Sequence, residues 1–149
     1  MDNRLLEKEK KTYVSLYKKN SLPYSLILLA IIAELVYVVT VLDVMAVSYL
    51  MGITVILNII ILFGLFTCAM KVSVYHRNWA IGGIALGIYM LLRMSVLVPL
   101  VLKPYAKMTT IAGANLIGGI ILIIAGIISL QKTDKRQKLQ NRLDQSKTN

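Results

Sequence analysis

Acidic residues are scarce: the chain carries 7 Asp or Glu against 17 Lys or Arg. Cysteine and histidine each occur once, as Cys68 and His76, so an internal disulfide and any multi-cysteine or His/Cys zinc site are excluded. Cys68 sits near the end of an apolar block and reads as a small packing residue rather than a reactive thiol. There is no phosphate-binding loop, no Gly-x-Ser-x-Gly elbow and no pair of carboxylates on one helix face. Catalysis at a membrane surface needs several polar groups converging at one place. Their absence from the pattern leads us to expect a protein that is not an enzyme and carries no cofactor or metal.

What is abundant is apolar residue type, 57% of 149 residues, above the 45–50% usual for soluble domains. One core of this size does not hide that much apolar surface. The residues also fall in long blocks, about 22–42, 44–70, 79–102 and 109–130. Each is long enough for a helix across a hydrocarbon layer of about 30 Å, at 1.5 Å per residue. All four exceed a barrel strand, and none alternates apolar with polar. The expected fold is an all-α integral membrane protein, a bundle of four transmembrane helices arranged as two helical hairpins.

Punctuation between blocks supports this division. Ser21 and Pro23 open the first, since proline is accepted in the first turn of a helix. Only Asp43 parts the first block from the second, so the hairpin is expected to unwind from Thr40 to Ala46, with Asp43 capping the second helix. Lys71 to Asn78 form a short polar loop, and Tyr75 and Trp79 suit an interfacial aromatic belt. Pro99 should kink the third membrane helix, and Lys103 to Met108 form the next loop. Residues 1–21 and 131–149 are basic tails. In the first, Leu6, Tyr13, Val14 and Tyr17 recur near helical spacing, which fits either an interfacial helix or a solvated tail.

The net charge of +10 follows this topology. Fourteen Lys or Arg lie in the two tails and the 71–78 loop, while Lys103 and Lys107 lie on the other side. Basic segments stay in the cytoplasm during insertion, so both termini are expected inside. The lack of a cleavable leader pattern and the positive-inside tails fit a cell membrane, specifically a bacterial inner membrane. The cationic face is expected to meet anionic lipids of the bilayer, not nucleic acid.

Two charges lie deep in apolar blocks, Glu34 in the first and Arg93 in the third, at similar depth. An isolated charge there costs about 2.5–3.5 kcal/mol on insertion scales. A Glu34–Arg93 pair relieves both, because a guanidinium presents a planar fork to a carboxylate. Tyr37 and Tyr89, a helical turn from each, are further partners. Asn58 lies mid-way along the second block. Asn115 shares a face of the fourth with Ala112, Gly119 and Gly126, a pattern of close helix packing. Ala80, Gly83 and Gly87 line one face of the third block, and glycine-lined faces of this kind suit contact with another helix or another chain, in a homo- or hetero-oligomer.

Ala33-Glu34 within Ile31 to Val38, together with four short helices, resembles the small multidrug resistance family, which carries a glutamate in its first helix. That resemblance implies an ion- or proton-coupled transporter acting through Glu34. The chain departs from the family in its length beyond the fourth block, in its fourteen-to-two charge bias, which opposes dual insertion, and in Arg93, which neutralises the carboxylate. On balance the sequence points to a non-enzymatic subunit or interaction partner in a membrane assembly, with transport through Glu34 as the alternative.

Overall fold

The computed structural model describes residues 3–17, 20–44, 49–101 and 107–148, and within the helices it leaves aside the side chains of 3, 6, 15–17, 50, 94–101 and 146–148. Apart from Asn20, the Val74–His76 turn and Lys107, the described residues are helical, in the order α1 (Asn3–Tyr17), α2 (Ser21–Val44), α3 (Tyr49–Ser73), α4 (Arg77–Val101) and α5 (Met108–Thr148). Three stretches, Ser21–Val44, Met51–Ser73 and Met108–Gln145, are long and apolar enough to cross a membrane.

The exterior is apolar, and the interior combines an apolar core around Ile27, Leu65, Met90 and Leu122 with a few buried polar groups. Ile59, Phe63, Leu92 and Val39 are each at least 60% exposed, whereas Glu34, Arg93, Asn58 and Asn115 are buried. Such a continuous apolar exterior has no place in water. In lipid it is the favoured solvent contact, and the polar groups must find partners inside.

α2, α3, α4 and α5 pack in a closed cycle, each against the next, with α5 also meeting α2. Neighbours run antiparallel. Gly87 meets Gly119 and Ala80 meets Gly126, so α4 and α5 pass in opposite senses. Asn20 at the start of α2 donates its backbone N–H to Ser73 at the end of α3, at 3.1 Å. Lipid offers no hydrophobic drive for helix association, so close van der Waals approach carries it. Small residues make that approach. A Cβ on Gly119 would come within 2.9 Å of the Gly87 carbonyl, and one on Gly126 within 2.8 Å of the Ala80 carbonyl. Gly118 does the same towards α2, facing Ala33 and Ala30. Gly83 turns instead to Cys68 of α3, while Ala112 is half-buried. These small faces are therefore filled within the chain, and the glycines that face open space are Gly52, Gly82 and Gly113.

Several boundaries differ from expectation. Asp43 does not cap the second membrane helix; it is the penultimate residue of α2, which stays helical through Thr40 to Val44 because nothing in that run breaks it. Its carboxylate instead pairs with Lys107, just ahead of α5. The remainder of the turn, residues 45–48, lies outside the described residues. Both partners of this pair are more than half exposed, so the interaction is screened. Asp43→Asn and Lys107→Gln are each expected to leave the melting temperature in detergent unchanged within error.

The polar loop shortens to Val74–His76 because α3 runs on to Ser73 and α4 begins at Arg77. Tyr75, with φ of 64°, is the left-handed residue that turns the chain. Pro99 lies inside α4, which continues to Val101. The largest difference is at the end: residues 131–148 are not a separate tail but the unbroken continuation of α5. Good helix formers and an absence of glycine and proline after Gly126 allow it. Arg136 stacks on the Tyr75 ring at 4.8 Å, and Arg77 reaches Asp134 at 3.9 Å, so the turn between α3 and α4 grips this continuation. Burial pushes the Tyr75 hydroxyl above its usual range, against the pull of Arg136. α1 also packs on α5, where Arg142 donates to Glu9 at 3.4 Å.

Candidate functional site

Arg93 of α4 sits at the centre of the packed helices, 3% exposed, and gathers one residue from each of the other three. Its Nη1 donates to Glu34 Oε1 of α2 at 2.8 Å and to Asn58 Oδ1 of α3 at 3.0 Å. Its Nη2 donates to Glu34 Oε2 at 2.7 Å and to Asn115 Oδ1 of α5. A guanidinium has five N–H donors, four of them on the terminal nitrogens. All four are used here, and the buried Nε alone has no hydrogen-bond partner among the described residues.

The chemistry follows from these bonds. Glu34 is 0% exposed, and each of its oxygens accepts from a different arm of the fork. The pair is neutral overall, which removes the largest part of the cost of placing charge in hydrocarbon. The amide oxygens of Asn58 and Asn115 supply two uncharged acceptors that balance the remaining N–H groups. Asn58 is itself fixed, since its Nδ2 donates to the Thr54 carbonyl one turn back at 2.8 Å. Tyr37 closes one side: its ring lies 3.7 Å from the guanidinium carbon, in the stacking arrangement a cation favours. Tyr89 is half-buried with its ring centroid at 5.9 Å, the edge of that range.

Sequence spacing anticipates the meeting of Glu34 and Arg93 with Tyr37 as a further partner; the Tyr37 ring face meets the guanidinium, and its hydroxyl hydrogen-bonds the Asn115 side chain. The spacing treats Asn58 and Asn115 as separate packing residues. Both are brought into one cluster with the ion pair. The signal that could have joined them is polarity within an apolar block; depth does not, since from the outer edges of their blocks Glu34, Asn58 and Asn115 lie 8, 14 and 6 residues in.

A second polar cluster escapes the sequence reading. Asn20, 1% exposed, precedes α2 and accepts the Tyr24 N–H on its backbone oxygen at 3.4 Å. Its Nδ2 reaches Ser129 Oγ of α5 at 3.5 Å, and Thr133, one turn on, bonds back to the Ser129 carbonyl. This ties the ends of α2 and α3 to α5. No group of three or more His, Cys, Asp or Glu able to hold a metal occurs among the described residues.

Cys68 is fully buried against α4, its Sγ 3.1 Å from the Trp79 carbonyl. A membrane-permeant maleimide is expected to leave the folded protein unlabelled and to modify it fully after denaturation in dodecyl sulfate. Rapid labelling of the folded protein would show that α3 and α4 part at this contact.

The chain matches no family model, no curated protein and no solved structure.

Proposed function

We propose that the protein is a non-enzymatic subunit or interaction partner within a membrane assembly. In this reading α2, α3, α4 and α5 all cross the cell membrane, a bacterial inner membrane, and both termini lie in the cytoplasm. Two things support the fourth crossing. α4 runs antiparallel to α5 along the Ala80–Gly126 and Gly87–Gly119 contacts, and its Arg93 lies at the depth of Glu34, Asn58 and Asn115. The orientation is supported by the fourteen basic residues of the two terminal segments and the 71–78 stretch, twelve of which lie in or beside α1, the Val74–His76 turn and the α5 continuation. Of these, Lys71, Arg77 and Lys132 lie near the ends of the apolar stretches, where anionic headgroups attract them.

The observation that carries the functional reading is the saturation of Glu34. A carrier's carboxylate must exchange its partner for substrate or water. Here both oxygens are held by one arginine, and every terminal N–H of that arginine is in turn engaged. Such a cluster fixes helix register and leaves the outer faces for contact with other chains. The test is extraction in mild detergent followed by mass spectrometry. A stoichiometric partner protein is the expected result. Recovery of the chain alone, combined with loss of ion or solute flux in proteoliposomes of a folded Glu34→Gln variant, would replace this reading with transport.

A further inference from the structure

The continuation of α5 beyond the apolar stretch has no role in the buried cluster, and its charges are arranged rather than scattered. Lys135, Lys138 and Arg142 follow one another at intervals of three and four, so they share one face of a 3.6-residue helix. Lys135 and Lys138 are exposed, and Arg142 is 67% exposed. Of the acids on α5, Asp134 borders the stripe one turn before Lys138 and also reaches Arg77 at 3.9 Å, while Asp144 lies roughly 160° around the helix from Arg142 at 100° per residue.

The direction of this stripe decides what fits it. α5 is unbroken, so the stripe rises from the membrane with the helix axis. At 1.5 Å per residue, Lys135, Lys138 and Arg142 stand about 7, 12 and 18 Å beyond Leu130. The Debye length at physiological salt is about 8 Å, so the bilayer's charge reaches the lowest of the three and fades before the highest. A flat anionic surface is matched by a helix lying along it; a stripe standing off it is matched by an upright partner. The protein itself displays the chemistry, since Glu9 of α1 already offers Arg142 a carboxylate at 3.4 Å.

We propose that the Lys135–Lys138–Arg142 face of α5 docks an acidic helix of a partner protein, aligned beside α5 on the cytoplasmic side. This rests on the subunit reading above and gives its partner a chemistry and a place. The test uses the full chain in nanodiscs of uncharged phosphatidylcholine. The probe is a fluorescent helical peptide with glutamates at positions i, i+3 and i+7, compared with an isomer whose glutamates are spread around the helix.

The patterned peptide is expected to bind on the order of 10-fold more tightly than its isomer, and Lys135→Glu/Lys138→Glu to remove that preference, with binding weakening as salt rises. The double variant keeps Arg142 and Glu9, and unchanged melting and Cys68 protection establish that it folds. Equal binding of the two peptides, or full binding by the double variant, overturns the proposal. So does failure of the peptide to bind while the same lysines govern adsorption to phosphatidylserine vesicles, which makes the bilayer the occupant. A native partner retained by the double variant overturns the docking face and leaves the subunit reading standing; absence of any partner from the wild type removes the subunit reading itself.

Discussion

Arg93→Leu is expected to abolish the folded protein in detergent, at a cost of about 3–5 kcal/mol, because it strands the Glu34 carboxylate in the interior with no cation. The loss is compounded at Asn58 and Asn115, whose amide oxygens both accept from the same guanidinium. Arg93→Lys is not a conservative substitute: an ammonium is a compact charge that lacks the planar fork and cannot reproduce the two-armed contact to Glu34 or the stack on Tyr37. The informative comparison is a cycle with Glu34→Leu, read by unfolding in detergent. If the two residues act as a structural unit, Glu34→Leu/Arg93→Leu recovers most of the stability lost in either single variant. Strictly additive losses would mean that each residue serves a separate partner.

The second large effect is steric. Gly119→Ala places a methyl within 2.9 Å of the Gly87 carbonyl oxygen, and backbone at a helix crossing cannot rotate away as a side chain can. Gly126→Ala meets the Ala80 carbonyl at 2.8 Å and also runs into the Ile84 side chain. Each is expected to destabilise by about 1–3 kcal/mol, the usual penalty for overpacking. Gly82→Ala and Gly113→Ala are the controls, since nothing lies within 4 Å of a Cβ at either position. There the helix-forming preference of alanine is left unopposed, so stability holds or rises. Equal losses at all four sites would show that intrinsic glycine flexibility, rather than contact between α4 and α5, governs these positions.

The contrast between these positions marks where sequence reasoning succeeds. Block length and apolarity specify the helices because lipid imposes one dominant requirement, internal satisfaction of the backbone. Glu34 and Arg93 are conspicuous for the same reason: a charge in hydrocarbon has few ways to be stable. Asn58 and Asn115 are less so, because an amide can bond to its own helix, as Asn58 does to Thr54, as readily as across to another. Glycine faces are harder still. Spacing marks the faces of Gly83 and Gly87 and of Gly119 and Gly126, which are packed whereas Gly82 and Gly113 are open, but one-dimensional spacing cannot say which neighbouring helix each face meets. The α5 continuation is missed because polar, basic composition is shared by solvated tails and exposed helices, and the choice is made by what packs on it: Tyr75, Arg77 and α1.

The central cluster draws one residue from each of four successive helices, and synthesis delivers them in a fixed order. Glu34 enters first with no cation to balance it, and Asn58 follows with a carbonyl oxygen in waiting. On the four-crossing reading proposed above, Arg93 would arrive to find two of its hydrogen-bond partners, Glu34 and Asn58, already made, which would ease the insertion of an otherwise unfavourable segment. Asn115 comes last and occupies the one remaining side. On the same reading, a chain that ended before α4 would carry Glu34 without the cation that balances it in the complete bundle.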